Sequence, residues 1–518
     1  MDMSIATTNQ LGQQGETGVA APTQRLRMLQ VQCLLVDTLY AGTTSMRNAA
    51  KLYLPQEPME QDQMYIIRLN RTTLFNGLKR CIQQAVGKVF SEPVELGESA
   101  DPLISLFCDD VDMQGRGINA HVQETFNYAL RHGVSYLLVD YPYVGTEELT
   151  LEDERLLGAR PYWVNIKLPQ VLEIRTDRIR GVERCVMFRY LEIAEEFDSN
   201  QNSFGSRQIR QVKIYRLIPG ATDEQNQVTF EIWRQDNSSS GGTGNWVIFQ
   251  PATPVTPKFI PIVPFYTNRT GFMLGEPPLQ DLAEKNLEHW RVSSDHAHIL
   301  HFVGVPVYFG KLLNGGVSEN GVPKPIIIAP NSLITGDAEG ADLRVVEHSG
   351  AAVEAQRTQL KDIEDQMTVL GLELYLSRPG TVTATARAID SAEQNSILKQ
   401  MAILCQDALE QVLALTCDYL DLPEDAYSSV EVNTDFASIF RDTADAGYLF
   451  NLWDAGILGA ADLVAEMKRR NILDDDFEYA GPNLLKVQLT PPAPAPVAPG
   501  SMNDMSNPDS TLNTASIT

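Results

Sequence analysis

The chain has 518 residues, and its 41 Lys and Arg against 67 Asp and Glu give a formal net charge of −26. Apolar residues make up 43% and charged residues 21%, which excludes a wholly disordered or collagen-like chain. The acidic excess argues against a protein that coats DNA, because binding to phosphates needs clustered Lys and Arg. It remains compatible with a protein that lets DNA slide past without holding it.

Cysteine usage and the N-terminal sequence indicate the cellular environment. The six cysteines, at positions 33, 81, 108, 185, 405 and 417, include no CxxC pair, so we expect buried thiols in a reducing cytoplasm. The first eighteen residues have neither the basic nor the apolar region of a secretory signal. No apolar run approaches the roughly 20 residues that span a bilayer. We therefore expect a soluble protein made in the cytoplasm, without a membrane partner.

The N-terminal part is predicted to be helical. Residues 1–22 are polar and aperiodic, which predicts a disordered arm. Two helical patterns follow between Thr23 and Leu54, and a longer one runs from about Glu60 to Phe90. Between residues 21 and 90 there are nine Lys and Arg but four Asp and Glu, the reverse of the whole chain. This is either a solvated helix face or a basic surface that meets an acidic neighbour.

The next part changes to a strand pattern. A helix near Asn119–Arg131 leads into a buried strand over Gly133–Asp140, and short aromatic and β-branched runs predict antiparallel strands between residues 160 and 250. These runs are Tyr162–Ile166, Cys185–Leu191, Val212–Leu217, Val228–Trp233 and Trp246–Phe249. The turn-rich segments 199–206 and 236–245 are predicted hairpin tips.

Long helices dominate the C-terminal half. The patterns predict helices over Pro278–His301, Ala351–Leu370 and Ala384–Leu420, and the last keeps 3,4 spacing through Leu398, Met401, Cys405, Ala408, Val412, Leu415 and Tyr419. Residues 302–350 form a small β-rich insert, with strands expected at Val305–Phe309, Pro325–Ile328 and Leu343–Val346. Residues 421–480 carry fourteen acidic residues against four basic ones, with short helices expected at Thr443–Trp453 and Gly459–Arg470.

A search for catalytic patterns favours no enzyme. The sequence has no phosphate-binding GxxxxGK[ST], no GxSxG and no HExxH. One helix carries His289, Asp295, His296, His298 and His301, which could bind zinc or nickel but more often make structural polar contacts. The acidic groups Asp109–Asp110–Asp112 and Asp474–Asp476 lack the spacing of a calcium loop, and a solvated turn is the preferred interpretation. We therefore predict no catalytic residues, no cofactor and no metal.

The two long helices on either side of the insert must be nearly antiparallel, because the insert leaves and returns at one place. Charged residues of both signs cover much of each helix, so we expect the apolar face of each to be too narrow for burial within a monomer. Such surfaces suit side-by-side packing of equivalent helices in a ring, although a solvent-exposed helical hairpin is the simpler alternative.

The sequence resembles the portal proteins of tailed bacteriophages over roughly residues 50–420. The first set of matching positions is Tyr53-Leu-Pro55, Tyr65, Arg68-Leu69, Arg71, Phe75-Asn76, Gly87–Phe90 and Pro93. Further matches are Ile260–Tyr266, Pro277–Ala283, Asn286-Leu287, Ser293–Asp295, Leu300-His301, Pro306-Val307, Val346-Glu347, Gly350, Gln366–Gly371 and Thr383-Ala384. Residues 236–245 and the Pro-rich tail have no counterpart in the family.

The resemblance implies an α+β, mainly helical, ring-forming architecture with wing, stem, clip and crown. Its segments are the arm 1–22, wing 23–277, first stem helix 278–301, clip 302–350, second stem helix 351–370, tunnel loop 371–383, long wing helix 384–420, crown 421–490 and a disordered tail 491–518. In this plan the tunnel loop faces DNA, and the clip meets the packaging motor and later the tail adaptor.

The implied function is a non-enzymatic channel at one capsid vertex, through which double-stranded DNA is packaged and ejected. The implied partners are further copies in a ring, expected to be a dodecamer, the terminase large subunit, a head–tail adaptor, the major capsid and scaffolding proteins, and DNA without sequence specificity. The expected location is the virion. The alternatives are another head–tail adaptor or capsid-associated structural protein, or a metal-dependent hydrolase built on Asp295, His298 and His301.

Site residues also follow from the portal plan. The DNA-channel residues are expected to be Glu373, Ser377, Arg378, Pro379, Gly380, Lys285 and Lys361. The partner-binding residues of the clip are expected to be Tyr308, Phe309, Ile326, Ile327 and Ile328, some of which would form the clip core.

Overall fold

The chain divides into two units, Met1–Phe436 and Ala437–Thr518. A computed structural model describes residues 18–142, 158–197, 205–236, 245–303, 307–311, 313, 340–346, 351–371, 384–434, 449–450, 453–454 and 459–469. The first unit combines helices with antiparallel sheets, which confirms the α+β prediction. Within the described part of the second unit, Leu463, Val464 and Met467 of one helix bury a small apolar cluster with Leu449.

Six helices form the N-terminal part of the first unit. They are α1 (Gln24–Ala41), α2 (Thr43–Ala49), α3 (Asp62–Arg71), α4 (Gly77–Val89), α5 (Pro102–Asp109) and α6 (Ile118–His132). Polar side chains start two of them, because Asn76 accepts a hydrogen bond from the Lys79 N–H and Asp101 accepts one from the Leu103 N–H. Such caps satisfy amide groups that have no partner within the helix.

A three-stranded sheet lies against these helices. Its strands β2 (Val134–Asp140), β3 (Tyr162–Lys167) and β9 (Ile262–Tyr266) pair antiparallel in the order β3-β2-β9. Gly133 separates α6 from β2 with a φ of +81°, and a Cβ there would lie 2.1 Å from the Glu276 carbonyl oxygen. Only glycine fits this combination of left-handed backbone and close backbone contact.

A five-stranded antiparallel sheet accounts for the predicted strand-rich part. It consists of β4 (Val171–Ile179), β5 (Val182–Phe197), β6 (Ser206–Ile218), β7 (Gln227–Asp236) and β8 (Asn245–Val255), in that order. The other paired strands are β1 (Glu95–Leu96) with β14 (Val430–Glu431), β10 (Arg269–Gly271) with β11 (Leu274–Gly275), and β12 (Val307–Lys311) with β13 (Asp342–Val346). Strand β4 was not predicted, since charged residues interrupt its apolar pattern.

Four more helices complete the described chain: α7 (Gln280–Val303), α8 (Ala351–Leu370), α9 (Ala384–Tyr419) and α10 (Ala460–Arg469). The predicted spacing on α9 is confirmed for its core side, where Leu398, Met401, Cys405, Ala408 and Val412 are all buried. The main core of the first unit therefore forms along α9, between the N-terminal helices and the three-stranded sheet.

Two sequence predictions are corrected by the structure. The single helix expected over Glu60–Phe90 is interrupted by residues 72–76, because their backbone groups bond to other parts of the chain. The disordered arm expected over residues 1–22 is wrong for residues 18–22, since Ala20 is fully buried and Arg189 donates hydrogen bonds to the Val19 and Ala21 carbonyls.

All six cysteines are free thiols, and five of them are buried. Burial raises the pKa of the Cys81 and Cys108 thiols to about 12, which keeps them protonated near neutral pH. Among the described helices, none combines the length and apolar content needed to cross a bilayer.

Candidate functional site: an anchored helical hairpin

Helices α7 and α8 form an antiparallel hairpin, as the sequence predicts. A hydrogen bond of 3.3 Å joins His289 on α7 to Glu364 on α8. Nearer the core, a Cβ at Gly371 would lie 3.5 Å from the Leu282 side chain. At the other end, strands β12 and β13 pair antiparallel, with Val307 opposite Val346. The two helices and the two strands are thus each paired antiparallel, as expected for a chain that leaves and returns at one place.

The first half of α7 is part of the protein core, contrary to the prediction that its apolar face is too narrow. Leu282, Ala283 and Trp290 are at most 2% exposed, and they pack into the main apolar cluster. The sequence pattern underestimated this burial because polar residues of the same helix are buried as well. Asn286 and His289 are 0% and 5% exposed, respectively.

Asn286 joins α7 to the start of α4. Its side-chain oxygen accepts the Leu78 N–H at 3.1 Å, and its side-chain amide donates to the Phe75 carbonyl at 2.8 Å. These bonds satisfy the backbone groups that the break between α3 and α4 exposes. Close packing supports the same junction, because a Cβ at Gly77 would lie 2.5 Å from the Met367 Cε of α8.

A second polar connection joins α3 to the middle of α7. The buried Arg68 guanidinium bonds to both carboxylate oxygens of Glu60 at 2.8 Å, to the Pro55 carbonyl at 2.9 Å and to the Ser294 hydroxyl at 3.3 Å. The hydrogen bond from Arg68 holds the pKa of the Glu60 carboxyl below its usual range. Asp295 lies 4.0 Å from Arg68, and burial raises the pKa of its carboxyl although Arg68 opposes this.

Several residues that carry the sequence resemblance hold this junction together. The Tyr65 hydroxyl donates to the Leu54 carbonyl at 3.0 Å, and Arg291 donates to the Tyr53 carbonyl at 2.9 Å. The Asn76 side chain donates to the Leu39 carbonyl at 2.8 Å. Tyr53, Tyr65 and Asn76 thus have structural roles, because they help to fix the base of the hairpin to the N-terminal helices.

The outer end of the hairpin carries one of the expected clip residues on its surface. Phe309 lies in β12 opposite Arg344, and its side chain is 58% exposed. Tyr308 pairs with Val345 in the same two-stranded ladder. The expected clip residues Ile326, Ile327 and Ile328 lie outside the described residues.

The expected channel residues are only partly described. Lys285 on α7 is partly exposed and forms an ion pair of 2.8 Å with Glu288, whereas Lys361 is exposed on α8. Residues Glu373, Ser377, Arg378, Pro379 and Gly380 lie outside the described part of the chain. Of the expected channel residues, the described part of the chain therefore includes Lys285 and Lys361, which lie on the two helices of the hairpin.

The histidine-rich helix does not assemble a metal site in the described part of the chain. No three His, Cys, Asp or Glu side chains among the described residues are arranged to hold a metal ion. His289 instead bonds to Glu364 and packs against the Phe75 ring, with centroids 5.2 Å apart. Asp112 stabilises a turn, since it accepts the Gln114 N–H at 2.9 Å and pairs with Arg116. The residues Asp474–Asp476 lie outside the described ranges.

Sequence reasoning missed the polar residues that anchor the hairpin. Asn286 and Ser294 were noticed only as matching positions, and Glu60 only as an acidic residue in a basic region. The signal that could have found them is the position of Asn286 and Ser294 between apolar residues of one amphipathic helix. A polar side chain that is buried at such a position requires hydrogen-bond partners.

Comparison with known proteins identifies one family match. The family described as Domain of unknown function (DUF4055) matches residues 278–420, which correspond to the hairpin and α9. No curated protein is significantly similar to the chain.

Solved structures with some likeness come from gene transfer agent (GTA) particles. They include the virion of the native particle, at 15% identity and a TM-score of 0.37, covering 82% of this chain and 97% of that chain. They also include the neck of the native particle computed with C12 symmetry, at 13% identity and a TM-score of 0.35, covering 82% and 98%. The neck of the empty particle, computed with C6 symmetry, has 14% identity, a TM-score of 0.34 and coverages of 74% and 87%. TM-scores this low do not by themselves establish a common fold.

Proposed function

We propose that this chain is a portal protein, a non-enzymatic subunit of a ring-shaped channel at one capsid vertex through which double-stranded DNA is packaged and ejected. The observation that carries the proposal is the hairpin of α7 and α8. One end of the hairpin is fixed in the core through Asn286, and the other ends in the paired strands β12 and β13. Several of the portal-like sequence positions, among them Tyr65, Arg68 and Asn76, lie at the fixed end.

In this proposal each segment has a mechanical role. Helices α7 and α8 form the stem, β12 and β13 belong to the clip, and the segment after Gly371 faces DNA. Helix α9 supports that segment from within the core, and the N-terminal helices with the five-stranded sheet form the wing. The acidic segment 421–490 forms the crown. A stem fixed in this way transmits force from the clip to the body of the ring.

The charge distribution suits a channel that does not retain DNA. Each phosphate neutralised by a protein cation adds salt-dependent affinity, which would slow translocation. The four acidic residues of α7 outnumber its Lys and Arg by two, and Lys285 is already paired with Glu288. Lys285, Lys361 and Arg378 would contact phosphates only transiently, and the acidic residues would repel the DNA backbone.

The exposed Phe309 fits a partner-binding role at the clip. An apolar aromatic side chain on a two-stranded ribbon provides contact area at a small cost in conformational entropy. We propose that this surface binds the terminase large subunit during packaging and the head–tail adaptor afterwards. The capsid and scaffolding proteins would surround the wing, and the terminase would supply ATP hydrolysis.

Negative-stain electron microscopy of the purified full chain tests the proposal. We expect end-on class averages that show closed rings of about twelve copies with an open centre. Co-expression with the capsid and scaffolding proteins extends the test to assembly that needs a capsid. A chain that remains monomeric or dimeric under both conditions would overturn the proposal.

A further inference from the structure

The first half of α1 carries a basic and apolar patch on its exposed side. Met28 and Val31 are 66% and 65% exposed, and the exposed Arg27 lies on the same face, within an arc of about 100°. We call these three residues the α1 patch. Leu26 and Leu29 bury the opposite side of the helix. Large apolar side chains that are exposed side by side mark a surface for a protein partner.

Helix α5 carries a patch with the opposite charge. Leu103 and Leu106 are 55% and 68% exposed, and the exposed Asp109 shares their face within an arc of about 120°. These three residues are the α5 patch. Ile104 and Phe107 bury the other side of α5. The two patches thus have the same make-up, two apolar side chains and one charge, but their charges are of opposite sign.

Neither charge is placed where it would stabilise its own helix. The N-terminal end of a helix carries partial positive charge, and the C-terminal end carries partial negative charge. Arg27 lies in the first turn of α1, which has no acidic residue, and Asp109 is the last residue of α5, whose last turn has no basic residue. Within the described ranges, neither side chain has an ion-pair partner. A partner on another molecule would account for both charges.

The three-stranded sheet separates the two patches. Leu29 of α1 packs in one apolar cluster with Tyr136 of β2, whereas Phe107 of α5 packs in the other cluster with Leu137. Because successive residues of a strand point to opposite faces, the first half of α1 and α5 lie on opposite faces of the sheet. One copy therefore cannot bring its own two patches together, but the α1 patch of one copy can meet the α5 patch of another.

The spacing of the apolar residues matches between the two patches. Met28 and Val31 are three residues apart, as are Leu103 and Leu106, so each pair spans about 4.5 Å along its helix. When the two helices cross antiparallel, Met28 lies beside Leu106 and Val31 lies beside Leu103. The cation of the α1 patch then lies at the end where the α5 patch carries its carboxylate.

We propose that the α1 patch of one copy packs antiparallel against the α5 patch of the next copy, with Arg27 paired to Asp109. The contact joins different surfaces of the two copies, so it is head-to-tail, the type of interface that closes rings. This inference deepens the proposed function and rests on it for the closure of the ring. It also gives the basic excess of residues 21–90 an acidic neighbour.

Charge-reversal variants test the pairing. We expect Arg27→Glu and Asp109→Arg each to raise the chain concentration needed for ring formation by at least about tenfold, because like charges would meet at every interface. The double variant should assemble as the unmodified chain does, since each interface would again join opposite charges. Arg25→Glu is the matched control, because residue 25 is rotated by about 160° from Arg27, and it should assemble normally. Size-exclusion chromatography and electron microscopy measure assembly, and circular dichroism checks that each variant folds.

A disulfide cross-link tests the contact without ring closure. We expect the variant that combines Val31→Cys with Leu103→Cys to form a ladder of covalent oligomers under mild oxidation, because each copy would be joined to the next. Each single cysteine variant is a control and should give no ladder. Non-reducing gel electrophoresis supplies the measurement.

The outcomes separate this inference from the proposed function. If the unmodified chain forms rings and both single charge variants do so at the same concentration, the inference is wrong while the ring proposal stands. If the folded double variant assembles no better than the single variants, the pairing of residues 27 and 109 is wrong. If the unmodified chain forms no rings but the cysteine pair gives a ladder, the contact stands and the ring proposal fails. If neither rings nor a ladder form, both are wrong.

Discussion

The buried Asn286 side chain accepts a hydrogen bond from the Leu78 N–H at 3.1 Å, across 208 positions of sequence. The same side chain donates to the Phe75 carbonyl at 2.8 Å. One amide group therefore connects the first helix of the hairpin to the N-terminal helices, and it satisfies the N–H of the buried Leu78 and the carbonyl of Phe75. This connection makes the hairpin an extension of the core.

Replacement of Asn286 by Ala should destabilise the protein by about 2–4 kcal/mol, because the buried Leu78 N–H and the partly buried Phe75 carbonyl lose their partner. Urea unfolding followed by circular dichroism measures the change in the free energy of unfolding. Asn70→Ala on the exposed side of α3 is the control, and we expect it to change stability by less than about 0.5 kcal/mol. Equal effects of the two substitutions would show that the Asn286 bonds contribute little.

Replacement of Gly133 and of Gly87 by alanine should change the stability of the protein in opposite directions. Gly133→Ala combines a φ of +81° with a 2.1 Å contact to Glu276, so we expect a loss of at least about 3 kcal/mol. Gly87 lies within α4 with no atom near its Cβ position, and Gly87→Ala should stabilise the protein by up to about 1 kcal/mol. Thermal unfolding midpoints of the two variants measure both effects. A Gly133→Ala protein as stable as the unmodified chain would contradict the close contact with Glu276.

Loss of Arg68 should leave the Glu60 carboxylate buried without its partner. We expect Arg68→Met to cost about 3 kcal/mol, and the double variant with Glu60→Gln to recover part of this loss. Arg207 is the control, because its pair with Glu196 is exposed and should contribute less than about 1 kcal/mol. Chemical unfolding of Arg68→Met, of the double variant and of the control Arg207→Met gives the comparison. A double variant as unstable as Arg68→Met would argue that lost packing, rather than lost charge pairing, dominates.

His121 should make stability depend on pH. Burial lowers the pKa of His121 to about 4, against an ordinary value near 6.5. Between pH 4 and pH 6.5 the unfolded state therefore binds a proton that the folded state does not bind. The contribution of neutral His121 to the free energy of unfolding is present above pH 6.5 and is lost as the pH falls towards 4. The loss is about 2 kcal/mol between pH 7 and pH 5. The His121→Gln variant should show a correspondingly smaller loss over this range. Identical pH slopes for the variant and the unmodified chain would refute the assignment.

Phe309 provides a test of the proposed clip. Phe309→Asp should abolish binding of the terminase large subunit to assembled rings, because a carboxylate would replace the exposed aromatic contact. Ring formation should not change, since the side chain is 58% exposed. Val247→Asp, at an exposed apolar position of β8, is the control. Terminase binding that survives Phe309→Asp would move the partner surface away from this strand.

Local patterns predicted most of the elements correctly. The apolar spacing of α8 and α9 and the aromatic strands of the five-stranded sheet follow from side-chain periodicity, which depends only on neighbouring residues. The break between α3 and α4 was missed because residues 72–76 obtain their hydrogen-bond partners from distant segments. Strand β4 was missed because its charged residues, such as Glu173 and Arg175, hide the alternation.

The sequence by itself determined most of the helices and strands and their order, because burial of apolar faces is encoded in local spacing. Only the tertiary structure decided that Asn286 and Arg68 anchor the hairpin. The physical reason is that a polar side chain gains or loses stability according to its partners and its distance from water. Both depend on residues about 200 positions apart, which no local pattern records.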